Sequence, residues 1–194
     1  MSEQRFYRFV YCVLWPIFKV FMPFRAVGAE RVPDGAVILC ANHSHLFDPV
    51  LMTLCLGRNT YIRHIAKDQN RRIPVFGWLM YRAGSIFVHR DGTDYDSVRA
   101  CMKALAAGEK LMIFPEGTRV KEGEHVEPKD GAVYLAAKKR VPIVPIYVPR
   151  NKRWFRSNVI RFGEPYMVQA SRGTDMAQLS RELMERIEAL RDAE

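Results

Sequence analysis

The run Asn42-His43-Ser44-His45-Leu46-Phe47-Asp48-Pro49 holds the residues best suited to chemistry. A histidine is the natural general base near neutral pH, and a carboxylate on its second ring nitrogen fixes tautomer and orientation. His43 and Asp48 are separated by a loop-like offset rather than a helical turn, so both side chains can point into one cleft. His45 is a rival base on residue type alone. Asp48 has a second role open to it: followed by Pro49, it suits the N-cap of a helix beginning at that proline.

Three later segments carry compatible chemistry. In Phe114-Pro115-Glu116-Gly117-Thr118-Arg119, a strand ending in proline is followed by a tight turn with backbone donors, a hydroxyl and a guanidinium. That set suits a phosphate or carboxylate oxygen. Glu116 can instead bond an acceptor hydroxyl or hold Arg119, and a plain surface turn is the alternative. The run Gly84 to Arg90 delivers Arg90 to the same sheet edge, where two arginines can clamp one phosphate. In Val141-Pro142-Ile143-Val144-Pro145-Ile146 the prolines withhold ladder donors, which places this strand near an edge or at a bend, as a hydrophobic wall.

The elements that position these residues follow from patterning. Compact apolar runs at 36–41, 61–66, 85–89, 110–114, 143–148 and 158–162 read as strands. Helical stretches at 49–56, 93–107 and 131–139 lie between several of them. This alternation predicts a single α/β domain with a mostly parallel central sheet flanked by helices. Ligands collect beyond the carboxyl ends of such strands, which selects residues 42–48, 89–91 and 115–119. Leu179, Leu183, Ile187 and Leu190 mark an amphipathic helix over 175–192 that covers the core.

The N-terminal run 6–22, FYRFVYCVLWPIFKVFM, is the most apolar. At helical rise it reaches about 26 Å, short of the roughly 30 Å hydrocarbon core, and it contains Arg8, Pro16 and Lys19. Phe6, Phe9, Val10, Val13, Ile17, Val20 and Phe21 share one face, opposite Gln4, Arg5, Arg8 and Lys19 with Tyr11, Cys12 and Trp15. The pattern predicts a helix lying in a membrane surface. A helix packed on the protein's own core and a tilted span are the alternatives. Residues 1–24 are therefore read as a membrane-attachment helix, and 25–194 as the functional domain.

The totals narrow the function. The chain has 194 residues, 48% hydrophobic and 26% charged, which excludes disorder. A net charge of +9 favours an anionic partner: nucleic acid, phosphorylated small molecules or an acidic membrane. Neither a basic, aromatic-bearing sheet nor a recognition helix speaks for nucleic acid. Cys12, Cys40, Cys55 and Cys101 are too dispersed for a zinc site and read as free thiols of a reducing compartment. No cleavable secretory signal is evident. No GxSxG elbow supports a serine hydrolase.

Taken together and in order, the four segments resemble the lysophosphatidate/glycerol-3-phosphate acyltransferase family, over roughly residues 25 to 165. His43-x4-Asp48 is similar to its first motif, Gly84–Arg90 to its second, Phe114–Arg119 to its third and Val141–Ile146 to its fourth. Lys67, Pro74, Gly77, Lys129 and Gly131 match weaker family positions. The chain departs from the family pattern at Val120–His125, where a serine and further basic residues are common, and at Pro128, where an aromatic is common.

The resemblance implies that His43 is the base and Asp48 its orienting partner. It implies that Arg90, Glu116, Gly117, Thr118 and Arg119 bind the acceptor's phosphate and glycerol portion. The expected reaction moves a fatty acyl chain from acyl-CoA or acyl-carrier protein to the free hydroxyl of 1-acyl-sn-glycerol-3-phosphate, giving phosphatidate. The acyl carrier is a co-substrate; no cofactor and no metal are expected. Expected partners are a phospholipid surface, a lysophospholipid and the acyl carrier, with no nucleic acid, at the cytoplasmic face of the cell membrane. The alternatives are glycerol-3-phosphate or another lysolipid as acceptor, and a nonenzymatic basic membrane-surface protein.

Overall fold

The computed structural model describes residues 1–88, 94–171 and 173–192. Its centre is a seven-stranded sheet in the order β1-β7-β6-β2-β5-β3-β4. The strands are β1 (Phe24–Val27), β2 (Val37–Ala41), β3 (Ile62–Lys67), β4 (Ile86–Val88), β5 (Lys110–Ile113), β6 (Ile143–Tyr147) and β7 (Asn158–Phe162). β2 to β6 run parallel, whereas β7 is antiparallel to β6 and carries β1 parallel to itself at the edge. The helices are α1 (Glu3–Phe21), α2 (Asp48–Leu56), α3 (Phe76–Arg82), α4 (Tyr95–Ala106), α5 (Gly131–Lys139) and α6 (Met176–Ala189). β1 and α3 are additions to the elements legible from patterning; each is too short to show a period.

β2 is the hub, with all five residues buried. Strand periodicity sends Val37, Leu39 and Ala41 to one face, where they pack with Phe18 and Met22 from the α1 end and with Leu51, Met52 and Leu54 of α2. Ile38 and Cys40 face the other way, against Cys101, Leu105, Val133, Ala136, Leu183 and Ile187 of α4, α5 and α6. Helices on both faces make a three-layer α/β domain and leave the carboxyl edge of the parallel strands to loops.

Two expectations are corrected. β6 is interior, between β7 and β2, rather than near an edge. Pro145 is tolerated because its regular antiparallel pairing with β7 covers only Ile146 and Tyr147, and its carbonyl accepts Gly163 N–H at 2.8 Å. Asp48 is the first residue of α2 rather than its cap, and no side chain caps that helix. The carboxylate turns backwards instead, toward residues 43–45.

α1 resolves into two apolar faces. Phe6, Tyr7 and Phe18 are buried against the domain. Phe9, Val13, Ile17, Val20 and Phe21 are exposed, at 59%, 45%, 45%, 61% and 48%. Among the described residues, no helix is long and apolar enough to cross a membrane.

Candidate active site

His43 leaves the end of β2 on a framework that starts with Asn42. The Asn42 side chain, fully buried, donates to the Val148 carbonyl and accepts the Val148 N–H, both at 2.8 Å. An amide thus continues the β2–β6 ladder one step past its last backbone pair. His43 follows in the first position free of the sheet, and the chain bends only from His45 onward.

The His43 ring is fixed by two contacts. Nδ1 lies 2.9 Å from Asp48 Oδ2, and the ring stacks on Phe114 with centroids 4.2 Å apart. With Asp48 ionised, Nδ1 carries the proton and donates, which leaves Nε2 as the basic nitrogen. The same Oδ2 accepts Ser44 N–H at 2.7 Å and His45 N–H at 2.8 Å, so one buried oxygen organises the whole loop. Burial by itself would raise the Asp48 pKa. The His43 hydrogen bond, the Lys152 ammonium and His45 N–H outweigh it and hold the carboxyl below its ordinary range.

The Glu116-Gly117-Thr118-Arg119 turn is joined to His43 through the backbone. Glu116 Oε2 accepts His43 N–H at 2.5 Å, and Val120 N–H donates to the His43 carbonyl at 2.8 Å. Gly117 has φ +63 and donates its N–H to Phe114 O at 2.9 Å, closing a turn whose left-handed residue favours glycine. Glu116 was expected as an acceptor contact. In the fold its side chain is 2% exposed, and its other oxygen takes Arg150 at 2.8 Å. Burial pushes its pKa up, against the pull of Arg150 and His43 N–H. Gly117 and Thr118 are half-buried and Arg119 is exposed. Arg90 lies outside the described residues.

Two cations that patterning did not select stand behind this loop, both just after β6. Arg150 bridges Glu116 and Glu188 of α6, the latter at 2.6 Å, and donates to Val120 O at 2.9 Å. Lys152 Nζ is 2.5 Å from Asp48 Oδ1. The available signal was positional: β6 is a parallel strand, and its carboxyl end falls at the same edge as the loop of His43. His45 is turned aside: its Nδ1 accepts Phe47 N–H at 3.3 Å, and burial, then Lys152, lower its pKa.

Beside the loop, Ile17, Phe18, Phe21, Met22, Phe47 and Trp154 enclose an apolar pocket of about 260 Å³. Phe47 belongs to the same 42–49 run, so the pocket adjoins the His43 loop. A larger cleft, about 680 Å³, lies between residues 123–128 and α6 on the far side of Arg150. Its many carboxylates, Glu124, Glu127, Glu185 and Glu188 among them, make it a poor receptor for phosphate.

A buried aspartate orienting a histidine, with a glycine turn bonded to that histidine's backbone, is an arrangement for activating a hydroxyl. Residues 23–149, which carry all of these elements except the two cations, match the Acyltransferase family, and the chain belongs to it. Among similar proteins is a chloroplastic 1-acyl-sn-glycerol-3-phosphate acyltransferase of Brassica napus, 33% identical over 151 residues, covering 74% of this chain and 42% of the relative. A 1-acyl-sn-glycerol-3-phosphate acyltransferase of Helicobacter pylori is 31% identical over 143 residues, 71% of this chain and 60% of that protein. The chain thus spans less than two thirds of either relative. The crystal structure of the 1-acyl-sn-glycerophosphate acyltransferase PlsC from Thermotoga maritima shares the fold, with TM-score 0.71 and 21% identity over 97% of this chain and 78% of the other.

Proposed function

We propose that the protein transfers a fatty acyl chain from an acyl thioester to the free hydroxyl of 1-acyl-sn-glycerol-3-phosphate, giving phosphatidate for phospholipid synthesis. The observation that carries this reading is the His43–Asp48 pair, locked at 2.9 Å and bonded to the Glu-Gly-Thr-Arg turn. The names of the curated relatives favour this acceptor.

In the proposed reaction, Nε2 of His43 removes the acceptor hydroxyl proton as the oxygen attacks the thioester carbonyl carbon. The carbon–sulfur bond breaks, and the proton on His43 passes to the leaving thiolate. Asp48 stabilises the imidazolium between these steps. Thioesters are activated, so base catalysis worth about 10²–10⁴ plus positioning suffices. Arg119, with Gly117, Thr118 and Arg90, meets the acceptor phosphate. Glu116 contributes indirectly, by holding His43. The donor is acyl-CoA or acyl-carrier protein.

Residues 1–24 attach the protein to a phospholipid surface on its cytoplasmic side through the exposed α1 face. Trp154 and Phe155, 54% and 67% exposed, extend that face, and Phe155 packs on Phe21 at 5.7 Å. Exposed Arg5, Arg8, Arg153 and Arg156 supply charge for anionic headgroups. The apolar pocket beside Phe47 opens from this side and suits an acyl chain arriving from the lipid.

The test is phosphatidate formation from labelled acyl-CoA and lysophosphatidate. Wild-type protein forms product and His43→Ala does not. No wild-type product with either acyl-CoA or acyl-carrier protein as donor, or undiminished product from His43→Ala, overturns the reading.

A further inference from the structure

Lysine is among the side chains least often fully buried, because its ammonium is strongly hydrated. Lys152 is an exception, with a side chain 3% exposed. Its ammonium pairs with Asp48 Oδ1 at 2.5 Å and donates to Ser44 Oγ at 2.9 Å and to the Pro149 carbonyl at 2.7 Å. One buried ion pair and two hydrogen bonds on a single ammonium make a built site. Two of those partners belong to the loop that carries His43. The segment is held in place from both sides, since Asn42 ties Val148 to the end of β2 and Ser44 Oγ donates to the Arg150 carbonyl at 3.2 Å. An ammonium this enclosed does not reach substrate.

We propose that Lys152 is a positioning residue of the acyl transfer: by holding Oδ1 it keeps Asp48 ionised and turned so that Oδ2 fixes the Nδ1–H tautomer of His43. The inference rests on the catalytic reading of His43 and Asp48 given above. A buried carboxylate with a neutral imidazole as its only side-chain partner is costly, and Lys152 supplies the balancing charge while His43 is the free base. When His43 takes the substrate proton, the carboxylate is shared between two cations, so the imidazolium is stabilised without being trapped. Among the described residues, the other charged or titratable groups around His43 are Glu116, whose charge Arg150 balances, and His45 and Arg119.

Removing the charge has a distinctive consequence. Without Lys152, Asp48 either takes a proton itself and loses its hold on His43, or stays ionised and holds the proton on His43 more tightly. Both move the acid limb of the activity profile upward. The experiment is the pH dependence of kcat/KM for wild type, Lys152→Arg, Lys152→Gln and Lys152→Met, with His43→Ala as control. Lys152→Gln and Lys152→Met should shift the acid limb up by about one pH unit or more. At pH 7, kcat should fall about 10–100-fold with KM for lysophosphatidate within about twofold. Lys152→Arg should keep the wild-type limb. Lys152→Gln removes the charge but keeps an N–H donor on a shorter stem, so it reports on the charge where Lys152→Met fails to fold.

An unmoved acid limb in folded Lys152→Gln overturns the proposal, as does a Lys152→Arg limb displaced like that of Lys152→Gln. A raised KM with unchanged kcat would instead make Lys152 a substrate ligand and also overturn it. His43→Ala separates the two claims. If it is active, the catalytic reading fails; if it is inactive while the Lys152→Gln limb is unmoved, only the present inference fails.

Discussion

Glu116→Ala distinguishes a residue that holds the base from one that holds the substrate. The wild-type carboxylate accepts His43 N–H at 2.5 Å and pairs with Arg150 at 2.8 Å in a buried setting. Breaking a buried ion pair from one side costs about 3–5 kcal/mol when the surviving charge is stranded. Arg150 is not stranded, because it keeps Glu188 at 2.6 Å and the Val120 carbonyl at 2.9 Å. The main loss is then the unsatisfied His43 N–H, about 1–3 kcal/mol, so a total of roughly 2–4 kcal/mol is expected. His43 keeps its carbonyl bond to Val120, so the loop loosens without collapsing. A displacement of the base approaching 1 Å lowers kcat by about 10²-fold and leaves acceptor KM nearly unchanged. Denaturant unfolding and steady-state kinetics on one preparation measure both quantities. A tenfold rise in acceptor KM, with kcat and stability as in wild type, would refute this reasoning and make Glu116 an acceptor ligand.

Further outcomes follow from other parts of the structure. Asn42→Ala strands the Val148 N–H and carbonyl in the core, and should cost about 2–3 kcal/mol by chemical denaturation, with activity lost in proportion to loop order. Serine at Phe9, Val13, Ile17 and Val20 together should lower binding to anionic vesicles about tenfold or more while leaving the melting curve in place, because these side chains are exposed; unchanged cosedimentation counts against surface attachment. Substitution is preferable to deleting residues 1–24, since Phe6, Tyr7, Phe18 and Met22 lie in the core. His64 is half-buried, and its partial burial depresses its pKa to about 4. The unfolded chain therefore binds a proton near pH 6.5 that the folded chain refuses, and stability falls as pH drops from about 6.5 to 4, by at most about 3 kcal/mol. His64→Gln should flatten that slope in unfolding curves taken at stepped pH; an equally steep slope would assign it to other groups.

Period and residue type were enough to place most of the sheet, because β2 and β6 are apolar on both faces and their ends are marked by proline, glycine and asparagine. The same reasoning found the loop of His43 and Asp48 and the 116–119 turn, since the carboxyl ends of parallel strands must converge on one edge. β1 and α3 were not legible: four and seven residues carry too little periodicity, and β1 is held by pairing with β7, more than a hundred residues away. Proline content misplaced β6, because whether a strand needs a donor at Pro145 depends on how far its neighbour extends.

For the site, the sequence by itself determined which residues can exchange a proton and at which edge they gather. Only the tertiary structure decided what each one touches. Glu116 has the chemistry of an acceptor ligand, yet folding buries it between His43 N–H and Arg150. Asp48 has the sequence context of a helix cap, yet it turns back to organise residues 43–45. Arg150 and Lys152 belong to no local pattern, and their partners lie 34 and 104 positions away as Glu116 and Asp48. The physical reason is common to all four. A buried charge takes its role from the opposite charge or donor brought against it, and that partner is supplied by chain crossings no local spacing encodes.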